Sequence, residues 1–353
     1  MKKYQRLAQQ IISQIELGVW LPGDKLPSLR EQVASSGMSF MTVGHAYQML
    51  ESQGRIVARP QSGYYVASRP TAQQPAPPAQ VMRDEVVDIN TYIFDVLQAS
   101  RDPSVVPFAS AFPDPRLFPL QQLNRSLANV SKTATAMSVI ENLPPGNVDL
   151  RHAIARRYAQ QGMNISPEEI VITAGALEAL NLSLQAVTEP GDWVIVENPC
   201  FYGALQALER LKLKALSIAT DVREGIDLNA LEQALNDYPV KACWLMTNSQ
   251  NPLGFTLSAE KKAQLVALLT KHHVTLIEDD VYSELYFGRE KPLPAKAWDR
   301  QDMTLHCSSF SKCLVAGFRI GWVAAGKHAR RIQQLQLMST LSTSSPMQLA
   351  LVD

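Results

Sequence analysis

The sequence predicts two domains: a mainly α-helical N-terminal domain of winged helix-turn-helix form, joined to an α/β domain with a mostly parallel sheet. Three observations support this prediction. The 353 residues exceed what one domain of about 150 residues needs. A basic N-terminal segment is separated from the rest by a proline-rich stretch. From Ile170 onward, short apolar strands alternate with helical segments.

The charge of the chain is balanced overall but not locally. Lysine plus arginine and aspartate plus glutamate each number 33, so the net charge gives no general attraction to nucleic acid or membranes. Through Arg69, however, eight basic residues stand against four acidic ones. Any binding of nucleic acid is therefore expected from the N-terminal segment.

The composition also indicates where the protein resides. The N-terminus shows neither a continuous apolar stretch nor a small-residue cleavage site, and the longest uncharged run, 332–352, is rich in Gln, Ser and Thr. The four cysteines lack the spacing of a zinc site, which favours reduced thiols and no bound metal. We therefore expect a cytoplasmic protein without a membrane partner.

The domain boundaries follow from the proline-rich stretch. Segment 70–80 contains four prolines and no large apolar side chain, which is typical of an extended linker. We place the N-terminal domain at 1–68, the linker at 69–83 and the α/β domain at 84–353.

The N-terminal domain is predicted to contain three helices and a hairpin. Apolar residues recur at helical spacing over 4–15, and Gly18 ends that helix. Ser28-Leu-Arg-Glu31 has the form of a capping box for a second helix, and Ser39 can cap a third after the turn at Gly37. A strand, a turn and a strand then follow at 55–59, 60–63 and 64–66.

This arrangement favours DNA binding, because a helix fits the major groove while the wing reaches the neighbouring backbone. The alternative is that a small basic domain docks on another protein, but cations near the turn and at the wing favour DNA. The candidate DNA contacts are Arg30, Ser39, Thr42, His45 and Arg59.

The N-terminal motifs resemble the DNA-binding domain of the GntR family of bacterial regulators. The resemblance is carried by 23–30, Thr42-Val43, Ala46-Tyr47 and 60–66. One feature departs from the family, which often has Arg early in its recognition helix. Here that helix carries Phe40, Met41, Gly44 and His45. Fewer guanidinium groups mean fewer bidentate contacts with guanine, so we expect phosphate and apolar contacts to contribute more.

The α/β domain is predicted from strands and helices that alternate. The clearest strands are 170–173, 193–196, 242–246, 274–277 and 304–307, and the clearest helices are 176–187, 228–236 and 259–271. Apolar strands separated by helices indicate a buried parallel sheet that is covered on both faces. In such folds, ligands bind beyond the carboxyl ends of the strands.

The polar residues after these strands fit pyridoxal 5'-phosphate. The aldehyde of this cofactor needs a lysine amine, which Lys312 can provide, and its pyridine nitrogen stays protonated only opposite a buried carboxylate such as Asp279. Asn251 and Tyr282 can hydrogen-bond the ring oxygen. Taken singly, each residue also has an ordinary structural explanation, since a lone lysine is usually solvated and a lone aspartate can cap a helix.

The remaining candidates suit the phosphate and the ring face. The backbone amides of Ala176 and Leu177 open a helix after the Gly175 turn, where an anion binds favourably. The Ser309 hydroxyl and the Arg319 guanidinium can add hydrogen bonds to that anion. Phe201 can stack on the ring.

These motifs resemble the fold type I pyridoxal phosphate enzymes of the class I/II aminotransferase family. The matching segments are 251–254, 279–282 and 309–312, with Arg319 beyond them. The resemblance implies that Lys312 is the cofactor lysine and the catalytic residue, and that Asp279 is the pyridine partner. It also implies ring-oxygen contacts by Asn251 and Tyr282, and phosphate contacts by Ser309 and Arg319. A GntR-like domain fused to such an α/β domain is similar to the MocR subfamily of transcriptional regulators.

The resemblance implies further parts and partners. The family continues beyond the position of Asp353, so we expect the C-terminal small domain, with the arginine that holds a substrate carboxylate, to be missing from this chain. Two subunits are expected to form a homodimer on paired DNA half-sites.

Two functions remain open on this basis. In the first, the protein is a pyridoxal phosphate-dependent transcriptional regulator of double-stranded DNA that senses a small amine or amino acid. In the second, it is a catalytically active aminotransferase that its DNA-binding domain localises. A third hypothesis, a scaffold that has lost its cofactor, is weakened by the intact cofactor motifs.

Overall fold

The computed structural model describes residues 2–67, 90–99, 102, 104, 106, 111, 113–135 and 143–353. The chain divides into two compact units, Met1–Ala76 and Pro77–Asp353. The predicted linker at 69–83 lies outside the described residues, so the proposed domain boundaries stay predictions.

The N-terminal unit has the predicted order of three helices and a hairpin. Its elements are α1 (Lys3–Glu16), α2 (Leu29–Ser36), α3 (Phe40–Ser52), β1 (Ile56–Arg59) and β2 (Gly63–Val66). The two strands are antiparallel, with Ile56 opposite Val66 and Arg59 opposite Gly63. The predicted winged helix-turn-helix is therefore confirmed.

Local signals in the sequence explain where these helices begin and end. The Ser28 hydroxyl accepts a hydrogen bond from the Glu31 amide, and the Glu31 carboxylate accepts one from the Ser28 amide at 2.7 Å. Gly37 ends α2 with a φ of 65°, a conformation that favours glycine. The buried Tyr47 of α3 donates to the Pro27 carbonyl oxygen at 2.9 Å, which ties α3 to the chain before α2. Capping and packing therefore fix the turn between α2 and α3.

The second unit is built around one sheet of eight strands among the described residues. The strands are β3 (Ile170–Thr173), β4 (Trp193–Asn198), β5 (Lys214–Asp221), β6 (Gly225–Ile226), β7 (Val240–Leu245), β8 (Thr275–Asp279), β9 (Thr304–Ser309) and β10 (Gly321–Ala324). The helices are α4 (Asn90–Ala99), α5 (Leu120–Thr133), α6 (Val148–Gln160), α7 (Ala176–Val187), α8 (Tyr202–Arg210), α9 (Leu228–Asp237), α10 (Ala259–Lys271), α11 (Ala329–Leu337) and α12 (Ser345–Val352).

The sheet is mostly parallel, as the sequence predicts. Its order is β3-β10-β9-β8-β7-β4-β5-β6, and the pairs from β9 through β8, β7 and β4 to β5 are parallel. Strand β10 runs antiparallel between β3 and β9. The carboxyl ends of β3, β4, β7, β8 and β9 therefore share one edge of the sheet with the amino end of β10.

Alternate side chains of the strands enter two separate cores. Val194 and Val196 of β4 pack in one core with α7, α8 and α11, whereas Ile195 packs in the other with α9 and α10. This period of two places helices on both faces of the sheet. Because the apolar sides of helices cover both faces of the sheet, polar groups collect at the open edge beyond the strand ends.

The predicted helices 176–187 and 259–271 match α7 and α10, and α9 extends one residue beyond the predicted 228–236. The five predicted strands are all present, with ends shifted by one or two residues. The sequence analysis did not identify β5, β6 or β10.

Candidate cofactor site

A cavity of about 460 Å³ lies at the edge of the sheet where the strands end. All nine predicted cofactor contacts line it: Ala176, Leu177, Phe201, Asn251, Asp279, Tyr282, Ser309, Lys312 and Arg319. The first and the last of these residues, Ala176 and Arg319, are more than 140 residues apart in sequence. The parallel strand order brings them together, because each one follows a strand end on this edge or precedes β10.

One end of the cavity is formed by the start of α7 and by Arg319. The Arg319 guanidinium donates to the Ser311 hydroxyl at 3.3 Å and to the Ala174 carbonyl oxygen at 3.2 Å. Gly175 precedes α7 with a φ of 91°, and a Cβ at this position would collide with that guanidinium. A cation and the first amides of α7 therefore face the same space, which suits an anion.

A second glycine permits this close arrangement. A Cβ on Gly321 would lie 2.5 Å from the Gly175 carbonyl carbon and 2.7 Å from the Ala176 amide nitrogen. Only glycine therefore lets β10 pass this close to the beginning of α7.

Asp279 lies at the end of β8 and is 2% exposed. Its Oδ1 is buried and has no hydrogen-bond partner within the described part of the chain. Burial raises the pKa of Asp279 to about 7, and the neighbouring charge of Asp280 acts in the same direction, against the effects of Trp244 and His306. The carboxylate is therefore held in a position where a positively charged partner would stabilise it.

Asp280, the next residue, is also buried but fully engaged. Its carboxylate bonds His306 Nε2 at 2.9 Å and accepts from Asn248 Nδ2 at 3.0 Å. Burial alone would raise the pKa of Asp280. The hydrogen bond and charge of His306, together with the hydrogen bond from Asn248, lower the pKa below its ordinary value. The two adjacent aspartates thus differ in role: Asp280 anchors the end of the strand, and Asp279 faces the cavity.

The amine of Lys312 lies across the same cavity. Its Nζ donates to the Ala111 carbonyl oxygen at 2.8 Å and lies 5.7 Å from the centre of the Tyr282 ring. Burial lowers the pKa of Lys312, Asp279 opposes that shift, and the charge of Arg319 adds to it. A larger fraction of this amine is therefore uncharged, and nucleophilic, than for a solvated lysine.

Polar and aromatic groups complete the cavity between these two charges. Asn251 Nδ2 donates to the Tyr282 hydroxyl at 3.5 Å. Burial, together with the charge of Asp279, raises the pKa of Tyr282 to about 12, so this phenol stays protonated at neutral pH. The rings of Phe201 and Tyr202 lie 4.7 Å apart in a tilted arrangement and form part of the wall.

Sequence reasoning did not select eight other residues that line this cavity, among them Ala111, Tyr202, Met246 and Ser311. Ser311 stands between Ser309 and Lys312 in the same motif, and its hydroxyl accepts the Arg319 hydrogen bond. Spacing alone gave no reason to choose between the two serines. Ala111 carries no chemical signal, because it contributes a backbone carbonyl oxygen.

The five predicted DNA contacts all lie in the N-terminal unit. Arg30, on α2, is exposed, and so are Ser39, which caps α3, and His45 on its outer face. Thr42 is half-buried and shares a 2.9 Å hydrogen bond with the Ser39 hydroxyl. The exposed Arg59 guanidinium lies 4.2 Å from the centre of the Tyr65 ring. Turn, α3 and wing therefore each carry at least one of the predicted contacts.

No helix in the described ranges is both long and apolar enough to cross a membrane. Among the same residues, no group of three or more His, Cys, Asp or Glu side chains is arranged to hold a metal ion.

Family models match both units of the chain. Residues 119–353 match the model described as aminotransferase class I and II, and residues 3–66 match bacterial regulatory proteins of the gntR family. The chain therefore belongs to the aminotransferase class I and II family, and a gntR-family domain is fused to its N-terminal side. This combination is the MocR-like architecture.

Individual relatives share this architecture. The chain is 84% identical over 353 residues to the HTH-type transcriptional regulator YdcR of Escherichia coli, covering all of this chain and 75% of YdcR. It is 38% identical to the HTH-type transcriptional regulator YjiR of the same organism, over 95% of this chain and 72% of YjiR. Close relatives are thus named as transcriptional regulators.

Solved aminotransferases share the fold of the larger unit. The multiple substrate aminotransferase of Thermococcus profundus matches with a TM-score of 0.68 and 27% identity, over 74% of this chain and 66% of that enzyme. The kynurenine aminotransferase of Pyrococcus horikoshii, solved in complex with PMP, matches with a TM-score of 0.68 and 26% identity, over 78% and 68% of the two chains. The predicted fold type I architecture is confirmed.

Replacing Asp279 by Asn should stabilise the cofactor-free chain at high pH. The raised pKa of Asp279 means that the folded state binds a proton more tightly than the unfolded state. The penalty for its charge therefore develops between about pH 4 and about pH 7 and is complete above that range. We expect Asp279→Asn to raise the free energy of unfolding at pH 8 by about 1–4 kcal/mol, and by much less near pH 4.

Urea unfolding of both proteins at these two pH values measures this difference. The exposed Asp237 gives a matched control, since Asp237→Asn should change stability little at either pH. Equal stability of Asp279→Asn and the wild type at pH 8 would show that the buried carboxylate carries no charge penalty.

Proposed function

We propose that this protein is a pyridoxal 5'-phosphate-dependent, DNA-binding transcriptional regulator whose aminotransferase-like unit senses a small amine or amino acid. The observation that carries the proposal is the cavity in which the amine of Lys312 occurs together with the carboxylate of Asp279, whose Oδ1 has no hydrogen-bond partner among the described residues. Fusion to a gntR-family domain supports regulation rather than metabolism as the main role. Membership in the aminotransferase family supports the choice of cofactor.

The residues around the cavity fit this cofactor at three positions. A protonated pyridine nitrogen would supply the partner that Asp279 Oδ1 lacks. The start of α7, with Arg319, Ser309 and the space left by Gly175, would hold the phosphate dianion. Lys312 would bind the aldehyde. When bound, the cofactor supplies an electron sink for chemistry at the carbon beside an amine.

The side chains of the chain would have separate tasks in this site. Lys312 would be the group able to hold or move a proton at its Nζ. Tyr282 and Asn251 would hydrogen-bond the ring oxygen, and Asp279 would keep the ring nitrogen charged. Phe201 would cover the ring face and limit access of water.

Removing the amine of Lys312 tests the cofactor assignment. Lys312→Ala should abolish the visible absorbance of the protein after incubation with pyridoxal 5'-phosphate, and it should remove the pyridoxyl label found by mass spectrometry after borohydride reduction. Lys271→Ala, which removes an exposed lysine paired with Glu232, should leave both signals intact. A label that persists in Lys312→Ala at another lysine would contradict the assignment.

The N-terminal unit would bind double-stranded DNA through α3 and the wing. Exposed cations flank α3, with Arg30 on α2 and Arg59 on β1. Arg55 is less available because it pairs with Glu16 at 3.4 Å. A homodimer would present two such units to paired half-sites. A regulator that binds DNA in this way would act in the cytoplasm.

The exposed arginines of α2 and the wing should contribute to DNA binding through contacts with phosphates. Arg30→Ala or Arg59→Ala should weaken binding to any duplex and reduce the slope of log affinity against log salt by about one unit each. Arg125→Ala, an exposed arginine of the other unit, is the matched control and should leave the slope unchanged. Weaker binding with an unaltered slope would argue against phosphate contacts.

Titration with amines tests whether the site senses or turns over its ligand. We expect amino acids to change the visible spectrum of the cofactor-loaded protein and, in parallel, its affinity for DNA, while Lys312→Ala loses both responses. Steady conversion of an amino acid and a keto acid, with DNA affinity unchanged, would instead support the catalytic alternative.

A further inference from the structure

The outward face of α3 is unusual for a helix that enters a DNA groove. Val43, Ala46, Tyr47 and Leu50 are buried, whereas the exposed or half-buried residues of α3 include Phe40, Met41, Gly44, His45 and Gln48. Helix α3 contains neither lysine nor arginine. Phe40 and Met41 are 53% and 67% exposed, although both are apolar.

The polar groups near the start of α3 are already engaged with one another. The Ser39 hydroxyl accepts from the Thr42 amide at 3.3 Å and shares a hydrogen bond with the Thr42 hydroxyl at 2.9 Å. The His45 ring lies edge-on to Tyr4 of α1, at 5.9 Å between centroids. The first turn of α3 therefore presents apolar surface more freely than hydrogen-bonding groups.

Gly44 lies one turn further along the same face. It has no left-handed φ, and a Cβ built on it would meet no atom of the described chain within 4 Å beyond its own helix backbone and neighbouring residues. Neither a turn nor internal packing requires glycine here, and glycine weakens a helix interior. The missing side chain is explained if another molecule approaches the backbone of α3 closely.

The charges near α3 indicate which kind of molecule binds to this surface. Arg30 at the start of α2, and Lys25 and Arg59 at the wing, are exposed, whereas residues 40–48 of α3 include no lysine, arginine, aspartate or glutamate. Exposed cations can bind the phosphates that border a DNA groove. An apolar surface on α3 can contact the one apolar group on the major-groove edge of a base pair. That group is the methyl of thymine.

We propose that α3 reads thymine through apolar contacts of Phe40 and Met41 with its C5-methyl group, and that Gly44 lets the helix backbone approach the floor of the major groove. This inference rests on the proposed DNA binding by the N-terminal unit. Sequence discrimination then depends on methyl contacts in place of the arginine–guanine contacts that are common in such helices.

Replacing thymine by deoxyuridine tests the proposal directly, because it removes the methyl group and keeps every hydrogen-bonding group. Duplexes selected by the full chain from a random-sequence pool are resynthesised with deoxyuridine at one thymine position at a time. We expect affinity to fall about fourfold per contacted methyl at one or two positions of each half-site, and not at the others.

Variants assign the effect to particular side chains. Phe40→Ala and Met41→Ala should each weaken binding to the thymine duplex and reduce the penalty for deoxyuridine, as expected when both partners of one contact are removed. Leu17→Ala removes a 78% exposed apolar side chain elsewhere on the same unit and should change neither quantity.

Gly44→Ala separates a binding role from a structural one. Alanine should slow hydrogen exchange of the α3 amides in the full chain, since it favours the helix, yet weaken binding to the selected duplex at least tenfold. Ser52→Ala, at the end of α3, should leave DNA affinity unchanged. Unchanged or improved affinity of Gly44→Ala would overturn the close approach.

The outcomes also separate this inference from the function on which it rests. Salt-dependent binding that is insensitive to deoxyuridine at every position would overturn the methyl readout and leave DNA binding intact. A change in sedimentation of Phe40→Ala without a change in DNA affinity would assign the face to a protein partner and also overturn it. Failure of the wild type to bind any duplex would remove the proposed function itself.

Discussion

The buried carboxylate of Asp279 is the constraint on which the rest of the cavity depends. Burying an acid whose oxygen has no hydrogen-bond partner among the described residues costs free energy. Burial raises the pKa of Asp279 to about 7. Lys312 and Arg319 line the same cavity, but within the described residues neither hydrogen-bonds Oδ1. The free energy lost by burying Asp279 can therefore be recovered by a ligand that brings its own positive charge, which links the stability of the unit to occupancy of the site.

The hydrogen bonds of the next residue, Asp280, explain why Asp279 keeps its position. Among the described groups, Trp322 Nε1 donates to the Tyr158 hydroxyl at 2.9 Å, Tyr158 bonds His306 Nδ1 at 2.6 Å, and His306 Nε2 bonds Asp280. This network joins α6, β9 and β10 to the end of β8, and it fixes the backbone that aims Asp279 into the cavity.

The sequence was most informative where the signal is local. Continuous apolar runs identified β3, β4, β7, β8 and β9, and the Ser28–Glu31 and Ser39 caps located α2 and α3. Strand β10 has only four residues, and its place between β3 and β9 depends on long-range pairing that no local pattern reports. In the same way, the motif around Lys312 predicted a group of anion contacts, but the hydrogen bond between Arg319 and Ser311 could be found only from the fold.

In the proposed DNA complex, affinity and selectivity would depend on different side chains of the N-terminal unit. Its cations lie on α2 and the wing, and their attraction to phosphates is reduced by salt. Residues 40–48 of α3 carry no lysine, arginine, aspartate or glutamate, so the proposed contacts of Phe40, Met41 and the backbone at Gly44 would not be screened in this way. Affinity for all DNA would then fall as salt rises, while the ratio between a correct and an incorrect site changes little. This division would suit a regulator whose arginines serve for attraction and whose apolar side chains serve for discrimination.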